Sequence, residues 1–111
     1  MKKSFVDHLP REWERYSGLF AALGEPTRQK ILLLFEAGEE LCVNDIASVF
    51  NLSRPAISHH LKVLRDSGLM SCEKRGKEVY YRVNDDIWPD LLALVREFAD
   101  DASTARQAVP A

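Results

Sequence analysis

Apolar residues recur at three- and four-residue steps through most of the chain, and the phase of that recurrence divides it into helices. In PREWERYSGLFAALG, Trp13, Tyr16, Phe20 and Leu23 fall along one stripe, with Pro10 to open the helix and Gly24 to close it. EPTRQKILLLFEAG predicts a second helix, with Pro26 in its first turn, a buried face marked by Ile31, Leu34 and Phe35, and a stop at Gly38. LCV is short and β-compatible. Asn44 is then expected to cap a third helix, DIASVF, with Ile46, Val49 and Phe50 on one side. Asn51 suits a left-handed residue that ends this helix, and Leu52 is expected to tuck inward. Ser53 caps a fourth helix with Pro55 in its first turn and Ile57, Leu61 and Leu64 at i, i+4 and i+7. Gly68 closes that helix, and Leu69 folds back against it. The period then shortens to two: LMSCEKRGKEVYYRV sets Val79, Tyr81 and Val83 against Tyr80 and Arg82, around a turn at Gly76. A last helix, from about Ile87 to Ser103, carries Leu91, Leu94, Val95, Phe98 and Ala102.

The expected architecture is mainly α, about five helices with a small β-hairpin. Residues 1–9 form an N-terminal extension, 10–103 the folded domain and 104–111 a flexible tail. At 111 residues and 46% hydrophobic, one domain with a small core fits, and part of its apolar surface is left for a partner. The net charge of −2 argues by itself against a nucleic-acid binder. The charge is unevenly spread, however. Between Ser53 and Arg82 stand seven Lys/Arg (Arg54, Lys62, Arg65, Lys74, Arg75, Lys77, Arg82) against three acids (Asp66, Glu73, Glu78), a local +4 that leaves −6 on the rest. A phosphate backbone meets local charge, so this basic segment changes the picture. The absence of a signal-peptide run and of a membrane-length apolar stretch, together with only two cysteines, points to a reduced, cytoplasmic chain with no membrane partner.

The third and fourth helices, joined by a tight turn at Asn51-Leu52, make a helix-turn-helix pattern. On the fourth helix a polar stripe lies opposite the buried one. A helix of this kind can enter the DNA major groove with its N-terminal residues at the base edges. Arg54 is placed to donate two hydrogen bonds to a guanine, while Ser58 and His59 suit single bonds to bases or phosphates. Lys62 and Arg65 suit phosphates, which position the helix without reading sequence. The free N–H groups at the Ser53 end of this helix, whose first turn also holds Pro55, suit an anion. The hairpin tip, with Lys74, Arg75 and Lys77, can lie along the backbone or in the minor groove as a wing. A polar helix face with a few basic residues is ordinarily just solvated; the order helix, strand, helix, turn, helix, hairpin is what favours DNA. Neighbouring helical residues point about 100° apart, so His59 and His60 share a metal poorly. His59 is expected outward, and His60 partly buried and hydrogen-bonded.

The runs ALGEPTRQKILLLF, ELCVNDIA, LSRPAISHHLKVLRDSGL and KRGKEVYYRV resemble the ArsR/SmtB family of winged helix-turn-helix repressors, from about Phe20 to Val83 with a flanking helix at each end. The resemblance implies a homodimer joined through the first and last helices, which bear Trp13, Tyr16, Phe20, Leu91, Leu94, Val95 and Phe98. It further implies an inverted-repeat operator and release of the DNA by a ligand or chemical signal. The residues agree in one respect: with Leu92 added, the last helix carries more apolar surface than this small core should absorb. The bland alternative is that all of it packs within one chain.

The arsenic-sensing branch carries Cys-Val-Cys-Asp where this chain has Cys42-Val43-Asn44-Asp45, and the zinc-sensing branch carries a His where Trp88 stands. Asp86, Asp90, Asp100 and Asp101 remain, which is ordinarily a solvated acidic face. Neither metal site is complete, and no cofactor is expected. For Cys42 three readings stay open. A small buried residue ranks first, ahead of a thiol sensor acting with Cys72 on the first hairpin strand, and ahead of a metal or metalloid ligand completed by other groups. The resemblance implies that the LCV strand borders the wing sheet, so the two sulfurs could lie within one sheet's width, and a disulfide needs Cα atoms within about 7 Å. The competing function is a winged-helix protein-interaction module without DNA binding. No phosphate loop or nucleophile–base pair points to an enzyme.

Overall fold

In the computed structural model, which describes residues 1–108 and side chains as far as 103, the fourth helix lies at the centre of the packing. Five α-helices are present among the described residues: α1 (Arg11–Leu23), α2 (Pro26–Leu34), α3 (Val43–Val49), α4 (Arg54–Asp66) and α5 (Ile87–Ala108). Three strands, β1 (Leu41–Cys42), β2 (Met70–Arg75) and β3 (Glu78–Val83), form an antiparallel sheet in the order β1-β3-β2. A 3-10 turn at Lys3–Val6 precedes α1. The chain forms two compact units, residues 16–84 and residues 1–15 with 85–111.

In the first of these units, α4 packs against α2, α3 and β2. Ile31, Ile46, Ile57, Leu61, Leu64 and Leu69 have no exposed surface, and Met70 has almost none. The expected stripe of α4 is therefore the core. Its C-terminus closes as predicted: Gly68 takes φ 88°, its N–H donates to the Arg65 carbonyl, and the Leu69 N–H reaches back to the Leu64 carbonyl. Only glycine adopts that backbone at little cost, and the pattern satisfies carbonyls the helix leaves open. The hairpin turns at Gly76-Lys77, between the paired Arg75 and Glu78. Gly76 has φ 64° and Lys77 does not take positive φ, as a type II′ turn requires.

Five local expectations are corrected. α2 ends at Leu34 and Phe35 takes extended backbone, so Gly38 (φ 73°) serves the turn that leads to β1 and not a helix stop. α3 begins two residues early, with Cys42 as its cap in place of Asn44. The Asp45 carboxylate reaches back to accept the Cys42 N–H at 3.2 Å, which fixes the earlier start. The buried residues of α3 are Val43 and Ile46, with Phe50 half-buried beyond its end, while Val49, expected on the buried side, is 63% exposed. α3 closes through extended backbone at Phe50 and not through a left-handed Asn51, and Leu52 consequently faces solvent.

In the other unit, α5 runs five residues past its expected end, to Ala108; of the expected tail, residues 109–111 lie outside the described residues. Leu91 is buried, and Trp13 meets Phe98 edge-to-face at 5.9 Å. No helix among the described residues is long and apolar enough to cross a membrane.

Candidate nucleic-acid interface

Ser53 starts α4 from extended backbone, and its Oγ accepts the Ala56 N–H at 3.3 Å. This cap holds the end of the helix that carries Arg54 and Pro55, both exposed. Ser53→Ala is expected to lower stability by about 1 kcal/mol, since one first-turn donor loses its partner; denaturant unfolding checks it, and an unchanged midpoint would show the cap to be idle. Along the outward face His59, Lys62 and Arg65 are exposed and Ser58 is half-buried. The polar stripe therefore lies where its spacing placed it.

The basic residues divide into two groups. Arg54, Lys62, Lys74 and Lys77 are exposed and, among the described residues, in no ion pair. Arg65 is held by the Asp66 carboxylate at 3.1 Å and lies 3.9 Å from the Cys72 sulfur, and these two neighbours, the sulfur first, raise its pKa. Arg75 bridges Glu40 at 2.6 Å and Glu73 at 3.0 Å and lies over the Tyr80 ring. The Glu40 contact, then the Glu73 contact, raise the Arg75 pKa, and the Arg75 hydrogen bond lowers that of Glu40. The wing tip is therefore less basic than its sequence suggests: Lys74 and Lys77 are its unpaired cations among the described residues. Glu40, which lies outside the basic segment from Ser53 to Arg82, is the reason.

Several positioning residues carry no functional signal in the sequence. Asn84, just after β3, donates from its amide to the Gly68 carbonyl at 2.8 Å and lies 2.6 Å from the Ser71 hydroxyl. Its own N–H donates to the Leu69 carbonyl at 2.9 Å. One side chain thus ties the base of the wing to the end of α4. Asn84→Ala is expected to cost about 1–3 kcal/mol, because partly buried partners are left unsatisfied, and to speed amide exchange across residues 68–71; unchanged exchange there would contradict the role. Glu25 accepts the Arg28 N–H at 2.9 Å as the cap of α2, which is the main cause lowering its pKa. Arg28 Nε and Gln29 Nε2 reach back to the carbonyls of Ala22 and Leu23, so the EPTRQ run closes α1 and opens α2 at once. His60 is partly buried, as expected, but among the described residues its Nδ1 has no hydrogen-bond partner, and Glu25 Oε2 lies 3.9 Å away. The expected hydrogen bond of His60 is therefore corrected.

The cysteines are separated by the sheet. Cys42 pairs with Tyr80 on one side of β3 and Cys72 with Tyr81 on the other. Successive β3 residues face opposite ways, so the register sends the thiols to opposite faces, roughly 10 Å apart across two strand spacings. Both are free, and Cys42 is buried. Among the described residues no cluster of three or more His, Cys, Asp or Glu is placed to hold a metal. Of the candidate dimer residues, Tyr16 and Leu91 are buried within the single chain, Trp13 and Leu94 are half-buried, and Phe20, Val95 and Phe98 are exposed.

A capped helix with its apolar stripe buried, a polar stripe exposed and a hairpin tied to its end is the geometry of a winged helix-turn-helix. Residues 25–71 match the sequence model described as "Bacterial regulatory protein, arsR family". The chain is 37% identical over 82 residues to the transcriptional repressor SdpR of Bacillus subtilis (strain 168), covering 74% of this chain and 90% of that protein. The chain belongs to the ArsR family. It is also 39% identical over 89 residues to the arsenical resistance operon repressor of Escherichia coli (strain K12), covering 80% of this chain and 73% of that one. An ArsR-like transcriptional regulator from Rhodococcus sp. RHA1 superposes with TM-score 0.78 at 25% identity, over 86% of this chain and 87% of its own. A second ArsR-family regulator superposes with TM-score 0.73 at 26% identity, over 81% and 92%. As an ArsR-family winged helix-turn-helix protein, the chain is a DNA-binding transcriptional regulator.

Proposed function

We propose that this ArsR-family chain is a cytoplasmic homodimeric repressor. It lays α4 of each protomer into successive major grooves of an inverted-repeat operator, steadied by the wing, and leaves the DNA when a small ligand binds. The observation that carries the reading is the exposure of Arg54, His59 and Lys62 on the face of α4 opposite the fully buried Ile57, Leu61 and Leu64. Two-fold symmetry calls for half-sites one helical turn apart, ~34 Å. The exposed Phe20, Leu92, Val95 and Phe98 support a dimer through α1 and α5. A ligand is favoured over a signal carried by a Cys42–Cys72 disulfide, which would have to span β3 and the sheet's two faces.

The test is selection from a random duplex library followed by gel shifts across a salt series. An inverted repeat should be enriched, and log affinity should fall linearly with log salt, with a slope of about −0.9 per phosphate neutralised. No enrichment even at low salt would leave the protein-interaction reading in its place.

A further inference from the structure

Arg75 stands at the end of β2, paired across the hairpin turn with Glu78. A side chain at that place can extend off the tip beside Lys74 and Lys77. Its guanidinium turns back instead: it lies 5.0 Å from the centre of the Tyr80 ring and reaches Glu40 at 2.6 Å and Glu73 at 3.0 Å. The register that sets Leu41 opposite Tyr81 carries Glu40 to the level of Arg82. The Arg75 side chain therefore runs from the tip toward the base of the wing, along the sheet face that Glu73, Tyr80 and Arg82 share with it by alternation. Glu73 is on the same strand, so Glu40 is the partner that draws the side chain across β3 toward β1. The Arg75 hydrogen bond first, and the Arg82 charge after it, hold the Glu40 pKa below the usual carboxylate value, so Glu40 is a charged acceptor at neutral pH. Residues 73–78 hold three cations against two carboxylates, and Glu40 brings a third carboxylate from before β1. The tip and Glu40 together thus carry no net charge.

An ion pair between exposed groups is weak and readily exchanged. An arginine that meets a phosphate donates two parallel hydrogen bonds, as it does to a carboxylate. Glu40 and a DNA phosphate are therefore alternative partners for one guanidinium. We propose that Glu40 is a positioning residue for DNA binding: its carboxylate holds Arg75 back over the sheet, and a phosphate gains the wing's third cation only by displacing it. The inference rests on the reading that the wing lies on DNA. A purely structural role for the pair, as a brace between the wing and the segment before β1, has the opposite sign. Loss of a brace loosens the wing and weakens binding, whereas loss of a competitor frees a cation and strengthens it.

Gel shifts across a salt series, on the duplex enriched by selection and on an unrelated one, test it with Glu40→Gln, Arg75→Ala and the double variant, each checked for unchanged circular dichroism. Glu40→Gln should tighten binding to both duplexes by roughly threefold or more, and steepen the salt slope by about 0.9 for each wing that gains a phosphate. In the Arg75→Ala background the same substitution should lose most of that gain, because the two residues act through one contact. Unchanged or weaker binding by Glu40→Gln, or an equal gain with and without Arg75, overturns the inference. Lys77→Ala separates it from the reading beneath it. If Lys77→Ala weakens binding while Glu40→Gln changes nothing, the wing is on DNA and Glu40 does not compete for Arg75. If neither changes binding, the wing reading fails and this inference with it.

Discussion

Leu61→Ala is expected to lower the unfolding free energy by about 2–5 kcal/mol, the range for truncating a fully buried leucine. Leu61 has no exposed surface and lies on the stripe of α4 that faces the core, in a helix packed on α2, α3 and β2. Rigid neighbours on several sides leave little room for collapse into the cavity, which favours the upper part of that range. A domain of this size holds only about 5–15 kcal/mol in all. At roughly 4–8 °C per kcal/mol the midpoint should fall by ten degrees or more. Thermal and denaturant unfolding at one fixed protein concentration measures it, since association would itself shift the midpoint. Lys62→Ala, one residue on and exposed, should stay within about 0.5 kcal/mol of the parent. It should nonetheless weaken DNA binding at every sequence and make the salt slope shallower by about one, as one phosphate goes unneutralised. A destabilised Lys62 variant, or an unaffected Leu61 variant, would reverse the assignment of the two faces of α4.

Arg54→Ala is expected to remove about 1–3 kcal/mol of base discrimination per half-site, the amount of a bidentate arginine–guanine pair. Arg54 is exposed and sits in the first turn of α4, on the end that Ser53 fixes. Among the described residues no carboxylate competes for it, unlike Arg65 and Arg75. Gel shifts on the selected operator and on single-base variants measure it: the preference for one base pair should shrink by roughly 5- to 150-fold while binding to other sequences changes little. Lys77→Ala, at the wing turn, should instead weaken all sequences alike. If Arg54→Ala lowers every affinity equally, its contact is to phosphate and the reading of bases lies elsewhere on α4.

Much of the fold was legible because it rests on local rules. The stripe Ile57, Leu61, Leu64, the cap at Ser53, the left-handed stop at Gly68 and the turn at Gly76 each depend on residues within a few positions of one another. The error at Asn44 has an identifiable cause. Asp45 reaches back three residues to the Cys42 amide, and sequence pattern alone does not choose between two plausible caps two residues apart.

The candidate site was legible in its residue types and their spacing and not in their pairing. That Arg54 and Lys62 lie outward follows from their distance along a helix from buried leucines. That Arg75 is held by Glu40, some thirty-five positions earlier, follows from β1 lying beside β3, and Asn84 joins the wing to α4 through partners more than a dozen residues away. The amino-acid order by itself determined the helices, the hairpin, the basic segment and membership of the family, because those are set by periodicity and neighbours. Only the tertiary structure decided which cations are left for phosphate and that the two thiols sit on opposite faces of a sheet. Those depend on contacts between segments far apart in the chain, and hydrophobic burial chooses such contacts without leaving a local mark on the sequence.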